Sequence, residues 1–393
     1  MRKFEYYAPT RVIFGKDTHH KVGEIIKEYG FKKIMLHYGQ NSIKRTGLYD
    51  EITASLKNAG ISYCELGGVE PNPKLSMVKK GTEMAKKEGA ELILAVGGGS
   101  AIDSAKLIAV SAVTDRDPWD FSSKKAVPDN ALPIATVLTL SASGSEMSAS
   151  CVITNEDGML KRGFGSRYIR PLFSICNPCL TYTVGPYQTA CGIVDIMMHT
   201  LERFFTTSEP FLVTDEMAEG VLRAVIKAGR DVMANPEDYE ARANLMWAGS
   251  LSHNDLTHAG TEFVLVCHQL EHELSGMYDS VSHGAGLSVI YPAWAKYIYK
   301  YNPERFSRLA VNVCKVNPEG KDDMTIAKEG IDYIENYFRS IGMPTRLSEL
   351  GVDITDEAID EMSEKCTFFG KREILDYRML GKEEIKAIFN LAK

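Results

Sequence analysis

Apolar residues along this chain follow two patterns, and the change between them comes near residue 185. Before that point, short apolar runs predict buried strands at residues 11–14, 33–38, 62–66, 92–96 and 132–140. Segments with the apolar spacing of helices separate these runs, at residues 21–29, 48–59, 74–88 and 101–112. Strands that alternate with helices form a mainly parallel sheet. The first pattern therefore predicts an α/β domain.

The second pattern is helical almost throughout. From residue 188 onward, nearly every segment has the apolar spacing of a helix, interrupted by short breaks. The clearest helices are predicted at residues 216–233, 238–251, 324–340 and 383–392. A chain of 393 residues is long enough for two domains. We therefore expect an α/β domain at residues 1–185 and an all-α domain at residues 186–393.

Composition narrows the classes of function. Hydrophobic residues make up 44% of the chain and charged residues 25%, as in ordinary soluble proteins. The net charge of −7 argues against a nucleic-acid-binding surface. No apolar run reaches the roughly 18 residues of a membrane span, and the first residues lack the apolar stretch of a signal peptide. We therefore expect a cytoplasmic protein that binds neither nucleic acid nor membrane.

A glycine-rich turn joins the strand at 92–96 to the helix at 101–112. Gly97, Gly98 and Gly99 have no Cβ atoms, so the backbone there can approach a pyrophosphate closely. Ser100 and Asp103 follow where the helix begins, and a helix N-terminus offers free N–H groups to a phosphate. The turn matches neither GxGxxG nor a Walker loop. Its position between a strand and a helix nevertheless favours a nucleotide site over a structural turn.

A second turn follows the buried strand at 33–38 and bears on the choice of cofactor. NAD-specific sites usually place an acidic side chain against the ribose 2′-hydroxyl. This turn contains no acidic residue, but it carries Gly39, Ser42, Lys44 and Arg45. We therefore expect it to accept a 2′-phosphate, which favours NADP(H), with NAD(H) as the alternative. If Lys44 and Arg45 only begin a solvent-exposed helix, the turn gives no reason to prefer NADP(H) to NAD(H).

Two pairs of potential metal ligands occur at helical spacing in the second half. Asp195 and His199 are four residues apart, as are His268 and His272, so each pair shares one face of its helix. His283 follows in a loop. Burial of Asp195 without a partner would be costly, and a dication would compensate it. One carboxylate and up to three imidazoles can therefore converge on a divalent transition metal.

These segments together resemble the iron-containing (group III) alcohol dehydrogenases, and especially the branch of butanol dehydrogenases and NADPH-dependent aldehyde reductases. The resemblance runs nearly end to end. It rests on Gly-Val-Glu-Pro-Asn-Pro at 68–73, Gly-Gly-Gly-Ser-Ala-Ile-Asp-Ser-Ala-Lys at 97–106, Thr-Leu-Ser-Ala-Ser-Gly-Ser-Glu at 139–146, Gly-Ile-Val-Asp at 192–195 with Glu202, and His268-x3-His272-x10-His283-Gly284. Each motif is weak alone, whereas the set is highly specific.

The resemblance implies a role for each candidate residue. The metal ligands would be Asp195, His199, His268 and His283, and His272 would lie beside the nicotinamide, either as a residue that surrounds the metal ligands or as a proton relay. The cofactor residues would be Gly97, Gly98, Gly99, Ser100 and Asp103 at the pyrophosphate, and Thr139, Ser143 and Lys161 at the adenosine and ribose. The activity implied is hydride transfer between NAD(P)(H) and short to medium primary alcohols or aldehydes, such as butanol and butanal, by a homodimer.

The metal and the function each leave alternatives. Four protein ligands plus a substrate oxygen require five-coordination, which suits Fe(II) better than tetrahedral Zn(II). We therefore expect Fe(II), with Zn(II) as the other candidate. A polyol dehydrogenase of the glycerol type and a catalytically inactive nucleotide-binding relative are alternative functions. A further alternative is a zinc peptidase, since His268, Glu271 and His272 fit the pattern H-x-x-E-H.

Overall fold

A computed structural model describes residues 3–393 of the chain. Its strands are β1 Arg11–Phe14, β2 Lys33–Gly39, β3 Ser62–Val69, β4 Leu92–Gly97, β5 Ile134–Leu138, β6 Ser150–Asn155, β7 Leu160–Gly165, β8 Phe173–Cys176, β9 Ile374–Leu375 and β10 Met379–Leu380. Its helices are α1 Val22–Glu28, α2 Ser42–Arg45, α3 Leu48–Ala59, α4 Leu75–Glu88, α5 Gly99–Ser111, α6 Trp119–Ser122, α7 Pro186–Phe204, α8 Leu212–Ala234, α9 Tyr239–Ser252, α10 Val266–Met277, α11 His283–Ile298, α12 Pro303–Asn312, α13 Asp323–Ser340, α14 Asp356–Cys366 and α15 Lys382–Leu391.

Six strands form one sheet in the order β1-β8-β5-β4-β2-β3, and every neighbouring pair is parallel. All six residues of β4 are buried, as expected for a central strand covered on both faces. The predicted α/β class with a mainly parallel sheet is confirmed. The sequence pattern did not reveal β8, which has only four residues, or the antiparallel pair of β6 and β7.

The sheet brings the two predicted nucleotide turns to one edge. Strands β5, β4 and β2 are consecutive neighbours, with Gly97 opposite Leu138 and Val96 opposite Tyr38. Gly39 ends β2 and Gly97 ends β4. Because the carboxyl ends of parallel strands lie at the same edge, both turns leave the sheet on the side where open α/β sheets bind ligands.

The described residues divide into two compact units. The sheet unit comprises Tyr7–Val184 and Glu237–Asn254, and the helical unit comprises residues 3–6, Gly185–Pro236 and Asp255–Lys393. The helix predicted at 238–251 therefore belongs with the sheet, although the sequence placed it in the domain of residues 186–393. One physical reason is a buried hydrogen bond within the sheet unit, in which Ser250 Oγ donates to Glu146 Oε1 at 2.5 Å.

In the helical unit, α12 packs most extensively on α13, and α7 packs on α8 and α11 and α10 on α11 around the candidate metal ligands. Sixteen of the nineteen residues of α7 are buried. The prediction of an all-α region misses the hairpin of β9 and β10, whose strands have only two residues each. Among the helices of residues 3–393, none combines the length and the apolar character needed to cross a membrane.

Candidate metal and cofactor sites

Three elements of the helical unit bring the four predicted metal ligands together. Asp195 and His199 lie one turn apart on α7, His268 lies on α10, and His283 is the first residue of α11. The distances from Asp195 Oδ1 to the Nε2 atoms of the three histidines, in the same order, are 3.5, 3.6 and 3.7 Å. Tetrahedral ligands about 2.1 Å from one metal lie about 3.4 Å from one another. The distances from Asp195 therefore fit ligands of one transition metal, and the donor atoms of Asp195, His199 and His268 all lie within 4.8 Å of one another.

The burial of these donors supports the same fit. The side chains of Asp195, His199 and His268 are nearly inaccessible, whereas that of His283 is 27% exposed. Within residues 3–393, Asp195 Oδ1 and His268 Nε2 are buried and have no hydrogen-bond partner. Buried polar atoms normally have partners, because desolvation without one is costly. A divalent metal would satisfy both atoms, and the exposed edge of His283 leaves the centre accessible from solvent.

The charges around His268 also favour a cation at this point. Burial lowers the pKa of the His268 imidazole, but the negative charges of Glu202 and Asp195 outweigh that effect and raise it to about 9. The surroundings therefore stabilise positive charge beside Asp195. A metal dication would supply that charge in place of a proton, because histidine binds metals in its neutral form.

Two buried glutamates orient the imidazoles. Glu202 Oε2 accepts a hydrogen bond from Nδ1 of His268, and Glu271 Oε2 accepts one from Nδ1 of His283. Because Nδ1 then carries the proton, Nε2 of each ring presents its lone pair on the side of Asp195. The sequence analysis assigned neither glutamate to the metal site. Each follows a ligand histidine of its own helix by three residues, and that helical spacing could have identified both.

A buried arginine balances the charge of the cluster. Arg203 Nη1 donates to the carbonyl oxygen of His199 at 2.7 Å and lies 3.2 Å from its Nδ1. Burial lowers the pKa of Arg203 to about 10, so the guanidinium remains charged at neutral pH. Asp195, Glu202 and Glu271 carry three negative charges as carboxylates. Together with the single charge of Arg203, a divalent cation would bring the sum to zero.

Two glycines permit these helices to approach one another. A Cβ atom on Gly284 would lie 2.2 Å from the carbonyl oxygen of Cys191, so α11 can begin against α7 only with glycine there. A Cβ atom on Gly286 would lie 2.7 Å from Cγ of Glu271. The close approach of α11 therefore depends on glycine both at its contact with α7 and at the carboxylate that holds His283.

His272 lies beside the metal ligands rather than among the atoms nearest Asp195. Its ring centroid is 5.6 Å from that of His283 and 6.4 Å from that of His268. The side chain is half-buried. This position is compatible with the predicted proton relay, which stays a prediction.

We expect loss of the Glu202 carboxylate to weaken metal binding. In Glu202→Gln, the amide has one acceptor oxygen for the three groups that now donate to the carboxylate, which are Nδ1 of His268 and the backbone N–H groups of Cys267 and His268. Removal of such outer partners typically lowers metal affinity about 10- to 100-fold. Chelator competition would measure the change, with Glu209→Gln as an exposed control on the same unit. Equal affinities in the two variants would contradict the role given to Glu202.

The glycine turn packs on a second loop of the sheet unit. A Cβ atom on Gly99 would lie 2.4 Å from Oγ of Ser143, and one on Gly98 would lie 3.2 Å from Cβ of Leu140. The backbone N–H of Thr139 donates to the carbonyl oxygen of Gly97 at 3.1 Å. The structure thus brings the predicted residues Gly97, Gly98, Gly99, Thr139 and Ser143 together. Ser100 lies next to them in the first turn of α5.

Two other predicted cofactor residues have protein partners in the structure. Asp103 Oδ1 accepts from Oγ of Ser145 at 2.5 Å, and its Oδ2 accepts from the backbone N–H of Val152 at 2.9 Å. Lys161 is buried on β7, and its Nζ donates to Oδ1 of Asn72 at 3.0 Å. Both side chains therefore hold the protein together around the glycine turn, and their contact with a cofactor stays a prediction.

The turn after β2 contains a short helix, α2, which begins at Ser42 directly after Gly39, Gln40 and Asn41. The Lys44 ammonium lies 5.3 Å from the ring centroid of Tyr38 and 4.9 Å from that of Tyr49. A hydrogen bond to Tyr38 raises the pKa of Lys44. Arg45 is exposed. Of the two cations predicted to meet a 2′-phosphate, Lys44 is thus held by aromatic rings, and Arg45 extends into solvent.

Lys106, which the sequence analysis did not single out, holds the loop that packs on the glycine turn. Its buried Nζ donates to Oγ of Ser145 at 2.9 Å, to Oγ and the carbonyl oxygen of Ser148 at 3.1 Å each, and to the carbonyl oxygen of Ser150 at 2.7 Å. Burial lowers the pKa of Lys106 to about 8, against the raising effect of Asp103. The available signal was a lysine one turn after Asp103, directly before the apolar run of residues 107–110 that predicts a buried helix.

His253 supports the same loop, although the sequence analysis gave it no function. Its Nδ1 donates to the carbonyl oxygen of Ser143 at 2.6 Å. Gly144, the residue after Ser143, has a φ of +64°, and a Cβ atom on it would lie 2.4 Å from the carbonyl oxygen of Gly249. The end of α9 therefore fixes the backbone that carries Ser143, which explains why this helix belongs to the sheet unit.

We expect Lys106→Met to weaken cofactor binding about tenfold, because the segment of residues 145–150 loses its common hydrogen-bond donor and Ser143 shifts with it. Titration with NADH and NADPH, followed by quenching of protein fluorescence, would measure the change. Lys80→Met, an exposed substitution on α4, is the matched control. If both variants bind the cofactor as the unmodified protein does, Lys106 does not position the loop.

Comparisons with known proteins agree with this arrangement. Residues 9–178 match the family model "Iron-containing alcohol dehydrogenase", and residues 189–392 match "Fe-containing alcohol dehydrogenase family, C-terminal". The chain therefore belongs to the iron-containing alcohol dehydrogenase family. The predicted family is confirmed.

Individual relatives point to one branch of that family. The chain is 42% identical to NADH-dependent butanol dehydrogenase A of Clostridium acetobutylicum over 390 residues, 99% of each chain. It is 34% identical to the NADPH-dependent aldehyde reductase YqhD of Escherichia coli over 357 residues, 90% of each. Among solved structures, NADH-dependent butanol dehydrogenase A of Thermotoga maritima superposes with a TM-score of 0.95 at 38% identity, covering 100% of this chain and 99% of that one. The prediction of the butanol dehydrogenase branch is confirmed.

Proposed function

We propose that this protein transfers hydride between NAD(P)(H) and short to medium primary alcohols or aldehydes, such as butanol and butanal. As a member of the iron-containing alcohol dehydrogenase family, it is an NAD(P)-dependent alcohol oxidoreductase. The observation that carries the proposal is the buried cluster of Asp195 with three imidazole Nε2 atoms at 3.5–3.7 Å. A divalent metal would bind the polar atoms of that cluster that have no hydrogen-bond partner.

In the proposed mechanism, a divalent metal held by Asp195, His199, His268 and His283 would act as a Lewis acid on the substrate oxygen. NAD(P)H supplies the hydride for aldehyde reduction and becomes NAD(P)+. Glu202 and Glu271 would keep two of these ligands in place, because they accept hydrogen bonds from Nδ1 of His268 and His283.

Other residues of the chain would transfer the remaining proton and bind the cofactor. Aldehyde reduction requires one proton on the oxygen besides the hydride, and we assign its transfer to His272 with solvent. The backbone of Gly97, Gly98 and Gly99 would bind the pyrophosphate where α5 begins. In alcohol oxidation both transfers run in reverse, and His272 accepts the proton.

Fe(II) is our proposal for the metal, and Zn(II) is the alternative. One carboxylate and three imidazoles suit either ion. With four protein ligands already present, binding of a substrate oxygen requires five ligands, a number that Fe(II) accommodates more readily than a tetrahedral Zn(II) site. Reconstitution with each ion, followed by aldehyde-dependent oxidation of NADPH, separates the two.

NADP(H) is our proposal for the cofactor. It rests on the turn after β2, which contains no carboxylate and exposes Arg45. The relatives named above are of both kinds, since one is described as NADH-dependent and another as NADPH-dependent. The ratio of kcat/KM for NADPH to that for NADH tests the proposal directly.

We expect Arg45→Ala to lower kcat/KM for NADPH about tenfold and to leave kcat/KM for NADH unchanged, because only NADPH carries the 2′-phosphate that a guanidinium would bind. Lys44→Ala is the matched variant, and its effect should be smaller because two tyrosine rings hold this ammonium. Steady-state kinetics with both cofactors would provide the four values. A parallel loss for NADPH and NADH in Arg45→Ala would be inconsistent with recognition of the 2′-phosphate.

The decisive experiment is an assay of the protein reconstituted anaerobically with Fe(II). Butanal-dependent oxidation of NADPH or NADH that a chelator abolishes would support the proposal. Faster turnover of glycerol or a diol than of butanol would favour the polyol alternative instead. Absence of turnover with bound metal and bound cofactor, across a series of aldehydes and polyols, would favour the inactive relative.

Glu271 argues against the zinc-peptidase alternative. A base in the H-x-x-E-H pattern must reach a water molecule on the metal. Here Glu271 Oε2 instead accepts a hydrogen bond from His283, and Gly286 packs against its side chain. That alternative also gives Asp195 and His199 no role. The homodimer and the cytoplasmic location stay predictions.

A further inference from the structure

Two tyrosines and a glutamate of the sheet unit surround the Lys44 ammonium in the turn after β2. The ammonium lies 5.3 Å from the ring centroid of Tyr38 and 4.9 Å from that of Tyr49. It also forms a hydrogen bond with the hydroxyl group of Tyr38, which raises the pKa of Lys44. We call Tyr38, Tyr49 and Glu65 the lysine clamp. Although the Lys44 side chain is exposed, it is therefore not free to take every rotamer.

An irregularity in the edge strand allows Tyr38 to reach Lys44. The pairing of β2 with β3 shifts between His37 and Gly39, where β3 contains one residue more than β2. Gly67 lies in this part of β3, and a Cβ atom on it would lie 2.2 Å from Cε2 of Tyr38. The ring of Tyr38 therefore packs directly on the backbone of the edge strand, and its hydroxyl group reaches Lys44.

Tyr49 and Glu65 complete the clamp from α3 and β3. The ring of Tyr49 meets that of Tyr38 edge to face, with the centroids 5.7 Å apart. The hydroxyl group of Tyr49 donates to Oε2 of Glu65 at 2.5 Å, and a hydrogen bond to a carboxylate is a strong one. The negative charge of Glu65 adds to the effect of Tyr38 on the pKa of Lys44. Both tyrosine rings are thus fixed where they contact the ammonium.

These contacts compete with any anion for Lys44. A phosphate that binds the ammonium must replace its contacts with two aromatic rings and with the Tyr38 hydroxyl group. When only a fraction of a binding group is available, the apparent affinity falls by that fraction. Arg45, the next residue, extends into solvent. The two adjacent cations of this turn therefore differ in their availability to a 2′-phosphate.

We propose that the lysine clamp withholds Lys44 from the 2′-phosphate of NADPH and so reduces the preference of the enzyme for NADPH over NADH. This inference rests on the proposed function, in which the turn after β2 meets the ribose of the cofactor. Tyr38, Tyr49 and Glu65 act through Lys44, so they are positioning residues. An enzyme with this clamp discriminates less between the two cofactors than two available cations would allow.

NADPH and NADH are the probes, because they differ only in the 2′-phosphate. Fluorescence titration of the metal-loaded enzyme, without an aldehyde, would give a dissociation constant for each. We expect Glu65→Gln and Tyr38→Phe to lower the constant for NADPH about two- to fivefold, the worth of one exposed cation–π contact, and to leave that for NADH unchanged. Tyr38→Phe changes no charge, so its gain cannot come from long-range electrostatics. If neither variant binds NADPH more tightly, the proposal is overturned.

Combination with Lys44→Ala tests whether the gain depends on Lys44. The double variants Glu65→Gln with Lys44→Ala and Tyr38→Phe with Lys44→Ala should bind NADPH as Lys44→Ala alone does. Asp50→Asn is the matched control, because it removes an exposed carboxylate from the residue after Tyr49, and it should change neither constant. A gain that persists without Lys44, or an equal gain in Asp50→Asn, would contradict the clamp.

The same titrations separate this inference from the proposed function. Because no aldehyde is present, they do not depend on hydride transfer, and an enzyme that binds both cofactors without turnover still tests the clamp. If neither cofactor binds the unmodified enzyme, the proposed cofactor site is wrong and the inference is overturned with it. If both cofactors bind and every variant binds them alike, the inference alone is refuted.

Discussion

The His268→Ala protein should be isolated without metal and should oxidise NADPH in the presence of butanal at least about 1,000-fold more slowly than the unmodified enzyme. His268 is a proposed ligand that is buried, and Glu202 holds its Nδ1. Lewis-acid stabilisation of charge on the substrate oxygen contributes several kcal/mol, and each 1.4 kcal/mol corresponds to about a tenfold rate change. Metal analysis and steady-state kinetics would measure the two losses separately.

The matched control for this experiment is His20→Ala, which removes an exposed histidine of the sheet unit. It should retain one metal per chain and full activity. Cofactor titration provides a third measurement, because the glycine turn lies in the other unit and His268→Ala should still bind NADPH. Turnover that persists in a metal-free His268→Ala protein would refute the proposed mechanism, whereas loss of cofactor binding would show that the substitution had damaged more than the metal site.

Arg305→Met should lower the free energy of unfolding of the helical unit by about 3–5 kcal/mol, the usual cost of breaking a buried ion pair from one side. Nη1 and Nη2 of Arg305 donate to the two carboxylate oxygens of Asp215 at 2.7 and 2.5 Å. Nε and Nη2 also donate to the carbonyl oxygen of Phe204, the last residue of α7. The substitution leaves a buried carboxylate and a helix-terminal carbonyl without this donor. Urea unfolding followed by circular dichroism would measure the change.

A double variant tests whether the charge of Asp215 causes this loss of stability. In Arg305→Met alone, the buried Asp215 carboxylate keeps only the longer contact with Arg308 Nη1, at 3.6 Å. Adding Asp215→Asn removes that poorly balanced charge, so the double variant should be more stable than Arg305→Met. Lys321→Met is the control, because it breaks an exposed ion pair with Glu329 and should cost no more than about 1 kcal/mol. If the double variant is less stable than the single one, the charge of Asp215 is not the source of the loss.

The metal centre depends on contacts that cross between helices. Glu202 stands on the helix of Asp195 and His199, yet it orients His268 on α10. Glu271 stands on α10, yet it orients His283 on α11. Helices α7 and α10 therefore each position a candidate ligand of another helix. A shift of one helix would displace candidate ligands on two. Because Arg305 on α12 holds the carbonyl oxygen at the end of α7, we expect Arg305→Met to weaken metal retention as well as stability.

Much of the sheet unit could be predicted from the chain alone. Four of the five predicted strands, at 11–14, 33–38, 62–66 and 92–96, lie within β1, β2, β3 and β4, and the fifth contains β5. The apolar runs of β2, β4 and β5 mark strands that the structure buries on both faces. Strand β8 has only four residues, and its partners β1 and β5 are more than thirty residues away in sequence. No local pattern could therefore place it between them.

The candidate metal residues could also be predicted from the sequence, because four of them form two pairs, each close together in the chain. Asp195 and His199, like His268 and His272, are one helical turn apart, and helical spacing alone puts each pair on one face. That spacing does not tell which two of His268, His272 and His283 approach Asp195. The structure places His268 and His283 there, at 3.6 and 3.7 Å, and His272 to one side.

By itself, then, the sequence determined the parallel α/β half, the helical half, the strand–glycine–helix turn and the two pairs of potential ligands at helical spacing, because each depends on residues close together in the chain. Tertiary structure alone decided that α9 joins the sheet unit, that Lys106 and His253 hold the loop that carries Ser143, and that Glu202 and Glu271 orient histidines of other helices. These contacts join residues far apart in sequence, and packing of distant elements, not local spacing, sets which of them meet.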